Sequence, residues 1–372
     1  MASKEETLAM KKALKLAHYG KGNTFPNPMV GAVVLDSEGN HAGDGFHRKC
    51  GAPHAETVAL SSAGDATEGG TLVVTLEPCC HEGRTGPCTR EIVESKIARV
   101  VIAMEDPDPR VNGKGIEQLE KADIEVEVGL LSKEAQKLNR VYLHYHRESR
   151  SWLTLKMAMS LDGRIAAADG SSKWISCDES RKHVHRKRAS VQAIMTGAGT
   201  VRNDDPRLTV RLEDIPPGGQ PHRILVSTTC DFGGSKNVFT GKGRVIVAVP
   251  EGKGLELPEY CRKPSVEIWE LPADGEFGGV DLKKLLERTA LEGIGEILCE
   301  AGSSLASLLL RQELVDSVSI FTSPMLLGGD GIPAFESLGV ETIDKAVRLR
   351  NFSFKRSGSD FLTEGEIVYG AD

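Results

Sequence analysis

No uncharged run in these 372 residues approaches the length needed to span a bilayer, and the charged start Met1-Ala2-Ser3-Lys4-Glu5-Glu6 is not followed by the apolar block of a signal peptide. A cytoplasmic enzyme with no membrane partner is the expectation. Basic residues are in deficit, with 46 Lys and Arg against 53 Asp and Glu and a formal charge of −7, and aromatics make up only 5%. Both shortages argue against a nucleic-acid groove, which needs cations for phosphates and rings for bases. A small soluble substrate fits better. The chain also lacks a Gly-x-Gly-x-x-Gly run after a strand, a solenoid-period repeat, and a nucleophilic Ser/His/Asp or Cys/His set. Cysteines number only eight, yet Cys79, Cys80 and Cys88 crowd one short segment with histidines nearby. That is metal-site spacing, not a disulfide framework.

The length exceeds that of one ordinary hydrophobic core, so two domains are expected. Apolar spacing predicts a helix from Thr7 to His18, a buried strand from Met29 to Leu35, a turn at Asp36–Asn40 into a second strand, and a helix over 55–63. Strand 71–76, helix 89–95, strand 100–104, helix 115–122 and strand 124–128 continue the alternation, and one helix over 132–147 closes the first domain. After a boundary near 146–152, a strand from Trp152 to Ala158 runs into the Asp162-Gly163 turn. Strands over 191–195, 223–227, 244–249, 266–269, 296–299 and 317–322 follow, with helices over 178–188, 281–290 and 304–311. Ile215 to Pro221 reads as an irregular surface loop, and the last thirty or so residues carry no assignment. Both halves are α/β.

His54-Ala55-Glu56 and the stretch from Glu77 to Cys88 supply an imidazole, a carboxylate and spaced thiols. A hydrolytic zinc site needs three protein ligands and one open position, and His54, Cys79 and Cys88 meet that count. Cys80 and His81 are the rival ligands. Neighbouring side chains point in different directions, so Cys79 and Cys80 do not readily share one ion, and His81 reads as a substrate contact or a structural residue in preference to a ligand. Glu56, at a helix start two residues past the histidine, is placed to move protons without joining the metal.

Pro26-Asn27-Pro28-Met29-Val30-Gly31, His54-Ala55-Glu56 and Glu77 through Cys88 resemble the bacterial bifunctional enzymes of riboflavin biosynthesis, a pyrimidine deaminase fused to a 5-amino-6-(5-phosphoribosylamino)uracil reductase. Eight residues separate Cys79 from Cys88, where nucleoside, cytosine and transfer-RNA adenosine deaminases usually have two. Gly86-Pro87-Cys88 departs from the more common Pro-Pro-Cys but leaves every ligand in place. The resemblance implies a cytidine-deaminase-like three-layer sandwich over 1–147 and a dihydrofolate-reductase-like domain over 151–372. It assigns His54, Cys79 and Cys88 to one Zn2+, Glu56 to proton transfer, and Asn27 to the substrate. His47 could touch substrate or cap a strand.

In the second half, Leu155 through Arg164, Ser172-Lys173-Trp174-Ile175-Ser176, Gly197 through Arg211, Glu300 through Leu305 and Pro324 through Gly329 resemble the reductase of that family. The resemblance implies NADPH held by Ala158, Trp174, Thr200, Asp204, Thr228 and the Gly302, Ser303, Ser304, Leu305, Ala306, Ser307, Leu308 segment, a glycine turn entering a helix. It carries substrate contacts to Ser172, Arg188, Leu208, Arg211 and Glu300, with Arg188 and Arg211 on the 5′-phosphate and Glu300 on sugar hydroxyls. Arg188 belongs to a cluster, Arg181 to Arg188, with five fixed positive charges in eight residues. The strand Ile224-Leu225-Val226-Ser227-Thr228 lacks the aspartate that many relatives carry there. A pyrimidine ribose phosphate is the implied substrate, and a homo-oligomer the implied assembly.

Overall fold

The structure, a computed structural model, describes residues 2–82, 86–212, 219–234 and 236–370. The Ile215–Gly218 part of the predicted loop and Gly83, Arg84 and Thr85 of the cysteine insert lie outside the described residues. The chain divides into two units, Met1–Ser149 and Arg150–Asp372.

In the first unit, helix α1 (Lys4–Ala17) begins before the predicted Thr7 because Ser3 and Glu6 form a capping box: Ser3 Oγ accepts the Glu6 N–H at 3.0 Å while the Glu6 carboxylate takes the Ser3 N–H at 2.6 Å. Strands β1 (Gly31–Leu35) and β2 (His41–Phe46), helix α2 (Ala55–Ala63), β3 (Thr71–Val74), α3 (Cys88–Glu94), β4 (Arg99–Ile102), α4 (Lys114–Lys121) and β5 (Glu125–Val128) follow. The sheet order is β2-β1-β3-β4-β5; β2 and β3 run antiparallel to β1, and β3, β4 and β5 are parallel.

Glycines fix the layering. A Cβ on Gly31 would stand 2.0 Å from the Ala13 carbonyl of α1, and one on Gly45 would stand 2.8 Å from the Ala55 carbonyl of α2. Gly45 pairs with Ala32, the neighbour of Gly31. Successive strand residues face opposite sides, so α1 and α2 cover opposite faces of the sheet and every residue of β1 is buried between them.

The single helix expected over 132–147 is instead two, α5 (Ser132–Leu138) and α6 (Arg140–Glu148). Asn139 between them is buried. Its Oδ1 accepts the Met29 N–H at 2.8 Å and its Nδ2 donates to the Met29 carbonyl at 2.9 Å. Its backbone keeps the helical bonds, N–H to the Ala135 carbonyl at 3.0 Å and carbonyl from the Leu143 N–H at 2.9 Å, but at φ −95° and ψ 20° it bends the chain between the two helices while the side chain faces a strand-entry residue, a contact that apolar periodicity cannot reveal.

The second unit contains β6 (Trp152–Ser160), β7 (Arg164–Ala166), α7 (Asp178–Arg188), β8 (Ala193–Gly197), α8 (Ala198–Asp204), β9 (His222–Val226), β10 (Val245–Pro250), β11 (Val266–Leu271), α9 (Leu282–Leu291), β12 (Glu296–Glu300), α10 (Ser303–Arg311), β13 (Ser317–Ser323), β14 (Ile332–Pro333), β15 (Arg348–Ser357) and β16 (Asp360–Val368). Nine strands form one sheet in the order β11-β10-β9-β8-β12-β6-β13-β16-β15. The first seven are parallel and the last two antiparallel, which accounts for the near-continuous apolar runs of β8 to β10. The closing hairpin lies where the sequence carried no assignment. A bulge between Arg350 and Ser353, with Asn351 at φ 50°, breaks the alternation that would have marked β15. No helix among the described residues is long and apolar enough to cross a membrane.

Candidate active sites

His54 occupies the cap position of α2, Glu56 lies in its first turn, Cys88 opens α3, and Cys79 sits on the loop after β3. His54 Nδ1 is 3.2 Å from Cys88 Sγ and 3.5 Å from Cys79 Sγ, and the Cys88 N–H points at Cys79 Sγ at 3.4 Å. A tetrahedral zinc with bonds near 2.1 and 2.3 Å needs donor separations of about 3.6 Å. These three residues are the metal-type donor cluster found among the described residues. Of the rivals, Cys80 turns its Sγ toward the Arg110 carbonyl at 3.7 Å, and His81 lines the adjoining cavity outside the cluster.

The protonation pattern suits a divalent cation. A hydrogen bond to Cys79 raises His54 to about 9 against the opposing effect of burial. The bond from Cys88 draws the Cys79 thiol down to about 4, while the same bond, with burial, pushes Cys88 up. An imidazolium and a thiol thus hold protons that a metal would displace from a ready-made donor set. Burial pushes the Glu56 carboxyl up to about 7, against the pull of His54.

The centre opens into a cavity of about 480 Å³ lined by Asn27, His47, Cys50, His81, Asp106, Asp108, Arg110 and Tyr142 among others. His47, buried and lowered in pKa by that burial, directs Nδ1 at the Pro53 carbonyl at 3.1 Å, so Nε2 accepts from Asn27 Nδ2 at 3.2 Å. This leaves the Asn27 amide oxygen for a ligand. The signal for His47 was its place seven residues before His54 on the same polar stretch. His81 Nδ1 is buried without a partner among the described residues.

In the second unit, β8, β9, β12 and β6 bring their carboxyl ends to one edge, where ligands of parallel sheets bind. The starts of α8 and α10 meet there: a Cβ on Gly302 would lie 3.5 Å from Thr200 Oγ1, and one on Gly197 would lie 3.6 Å from Leu305. Gly302 caps α10 with no side-chain bond, and Ser303 Oγ in its first turn is buried without a partner among the described residues, as is Ser227 Oγ at the end of β9. Unfilled donors at a helix start fit a pyrophosphate. Ala306 and Ser307, by contrast, are fully buried, and Ser307 Oγ accepts the Glu336 N–H at 2.7 Å. Thr228 is exposed and lies against Gly279. Trp174 is exposed with Arg181 stacked 4.4 Å from its ring centroid, and Lys173 lowers the pKa of Asp204, which burial raises overall.

Arg188 and Glu300 form a buried pair, their side chains 11% and 14% exposed, with Nε–Oε1 at 2.6 Å and Nη2–Oε2 at 2.9 Å, while Nη1 donates to the Thr209 carbonyl at 3.0 Å. One hydrogen on each terminal nitrogen has no partner among the described residues. Burial alone would raise Glu300; the charge and hydrogen bonds of Arg188 instead hold it at about 2. Arg211 is exposed beside His185, its Nη2 3.2 Å from the ring. Leu208 is packed in the core at φ 50° and offers a ligand only its backbone, and Ser172 is half-buried. The basic cluster on α7 therefore splits: Arg181 stacks, Lys187 pairs with Glu364, Arg188 is buried, and Lys182 and Arg186 face solvent. Sequence reading missed Lys156, paired in register with Glu300 and lowered in pKa by burial. Its signal was a lone cation in the apolar strand Leu153–Met159.

The comparisons agree with both halves. The cytidine and deoxycytidylate deaminase zinc-binding region matches residues 3–104, and the RibD C-terminal domain matches 151–363. The chain is 39% identical to the riboflavin biosynthesis protein RibD of Aquifex aeolicus, covering 95% of this chain and 96% of that one, and 36% identical to that of Escherichia coli, covering 94% and 96%. Among solved structures, Acinetobacter baumannii RibD superposes with a TM-score of 0.86 at 34% identity, and a diaminohydroxyphosphoribosylaminopyrimidine deaminase/5-amino-6-(5-phosphoribosylamino)uracil reductase from Thermotoga maritima with 0.84 at 36%, each over 98% of this chain and 99% of the other. With a deaminase-type zinc centre in one unit and a reductase-type nucleotide edge in the other, the chain belongs to the RibD family of bifunctional deaminase/reductases of riboflavin biosynthesis.

Proposed function

We propose that residues 1–147 deaminate 2,5-diamino-6-ribosylamino-4(3H)-pyrimidinone 5′-phosphate and that residues 151–372 then reduce the ribosyl group of 5-amino-6-(5-phosphoribosylamino)uracil to ribityl. The observation that carries the first half is a buried carboxyl, Glu56, raised to about 7 beside three metal-type donors. Zinc, when held by His54, Cys79 and Cys88, supplies a Lewis acid that makes water nucleophilic at neutral pH. Glu56 takes one proton from the attacking water and passes it to the ring nitrogen, then moves the second, from the new C2 hydroxyl, to the departing amine, so that the C2–N bond breaks, C2 keeps the oxygen and ammonia leaves. Asn27, oriented by His47, and His81 hold the heterocycle and its sugar.

In the second unit NADPH, when bound, supplies the hydride for C1′, whose bond to O4′ opens as O4′ takes a proton from solvent. The free amides of Gly302 to Leu305 and the Ser303 hydroxyl receive its phosphates, with Ala158, Trp174, Thr200, Asp204 and Thr228 along its length. Ala306, Ser307 and Leu308 support that turn from within the helix. Glu300, kept ionised by Arg188, accepts from sugar hydroxyls, and Lys156 stands beside it. Arg211 and the remaining hydrogens of Arg188 take the 5′-phosphate, and Ser172 and the Leu208 backbone complete the contacts. A cytoplasmic homo-oligomer is the expected state; exposed Phe352, Phe354 and Phe361 on the edge hairpin support self-association.

A coupled assay on the purified protein, with the diaminopyrimidine phosphate and NADPH, tests both halves. Ammonia should appear without NADPH, and NADPH should be oxidised only once deaminated product is present. Steady NADPH absorbance with the deaminated substrate would overturn the reductase half.

A further inference from the structure

Glu77 lies between β3 and the Cys79 loop, is 2% exposed, and is reached by no salt bridge among the described residues. Its partners are four backbone amides. Oε2 accepts the N–H groups of Asp106 at 3.1 Å and Gly113 at 3.0 Å, and Oε1 those of Gly115 at 2.9 Å and Ile116 at 3.3 Å. The Glu77 N–H meanwhile donates to the Met104 carbonyl at 3.0 Å. All four donors belong to the segment that leaves β4 and enters α4, and that segment contributes Asp106, Asp108, Arg110 and Val111 to the cavity. It is internally tied: the Asp108 N–H donates to Asp106 Oδ1 at 2.9 Å, the Val111 N–H to the Asp108 carbonyl at 2.8 Å, and Asn112 Nδ2 to the Asp106 carbonyl at 3.0 Å. These bonds join the segment into one hydrogen-bonded unit. Gly115 confirms how close the approach is, since a Cβ there would stand 2.2 Å from the Pro78 carbonyl and 3.1 Å from Glu77 Oε1.

We propose that Glu77 is a positioning residue for deamination: one carboxylate ties the metal-ligand loop, two residues before Cys79, to the 106–111 wall and so sets the width of the pocket the substrate enters. The role needs an acceptor at both oxygens. A glutamine would present an NH2 group to two of the four amides, leaving N–H facing N–H. The inference rests on His54, Glu56, Cys79 and Cys88 being the deaminase centre.

The test uses the full-length zinc enzyme. Glu77→Gln should raise KM for the diaminopyrimidine phosphate about tenfold or more while kcat changes by less than about threefold, the pattern of lost uniform binding. Zinc content and the reductase rate should stay at wild-type levels. Gly115→Ala displaces the same contact from the other side and should raise KM similarly, and the combined variant should add little to the larger single effect. In the unaltered enzyme, hydrogen exchange should find the amides of Asp106, Gly113, Gly115 and Ile116 protected. A zinc-loaded Glu77→Gln with unchanged KM, a lowered melting temperature as its sole change, or unprotected amides in the unaltered enzyme would each overturn the proposal. Glu56→Gln separates the two readings: if it turns over normally the centre itself is misassigned, whereas a dead Glu56→Gln beside a Glu77→Gln of normal KM removes only the role of Glu77.

Discussion

The two sites hold their charged groups in opposite ways. Around His54 the imidazole and thiols are satisfied by one another and by protons a metal would displace, so the centre is complete only when loaded. At the edge of the nine-stranded sheet, Arg188 and Glu300 are already paired and the unfilled groups are a hydroxyl and backbone amides at a helix start. The difference teaches where each chemistry resides. A metal reaction is concentrated in a few side chains, whereas a reaction supplied by an organic cofactor leaves the protein to align strand ends and helix starts.

The sharpest way to break this contrast is Glu56→Gln. It should lower ammonia release by roughly a thousandfold while zinc stays near one per chain by elemental analysis, because proton transfer alone is removed. Reduction of the deaminated substrate should proceed unchanged. Arg188→Met attacks the other site. Glu300 would keep a buried charge with its strongest partner gone, so denaturant unfolding of the second unit should lose roughly 3–5 kcal/mol, and NADPH oxidation should fall with it while deamination persists.

Acid sharpens the same pair. Glu300 is held at about 2 in the folded chain, below its ordinary 4.5. Its contribution is therefore fully present above about 4.5 and is lost as pH falls toward about 2. Acid titration of the second unit should show a loss of stability in that window, and Arg188→Met should flatten it. The smallest effect belongs to His47→Phe, which keeps a ring but removes the acceptor that aims Asn27. KM for deamination should rise by about fivefold with kcat nearly intact, an effect of about one hydrogen bond. An unchanged KM would mean that Asn27 needs no such aim.

Much of this was legible before the structure. The alternation of strands and helices and the short runs that carry the donor cluster of His54, Cys79 and Cys88 with Glu56 beside it are all chemically distinctive in the sequence. What stayed hidden has physical reasons. The break at Asn139 depends on a contact with Met29 across 110 positions. The β15–β16 hairpin is masked by a bulge that puts its period out of step. His47 appears in the sequence as one of several polar residues between Phe46 and His54, and Lys156 as one cation in an apolar strand, and only folding shows what they face. The phosphate role carried to Arg188 also changes character, since most of its guanidinium is committed to Glu300 and Thr209.

Gly31 and Gly45 have a consequence for how this lineage can vary. At either position even a methyl group would act as a wedge between helix and strand. Neither lines the cavity beside His54, yet a mutational library scored only for soluble yield should reject changes there as firmly as one scored for ammonia. Their invariance, wherever it is met, would report how the layers assemble and nothing about turnover.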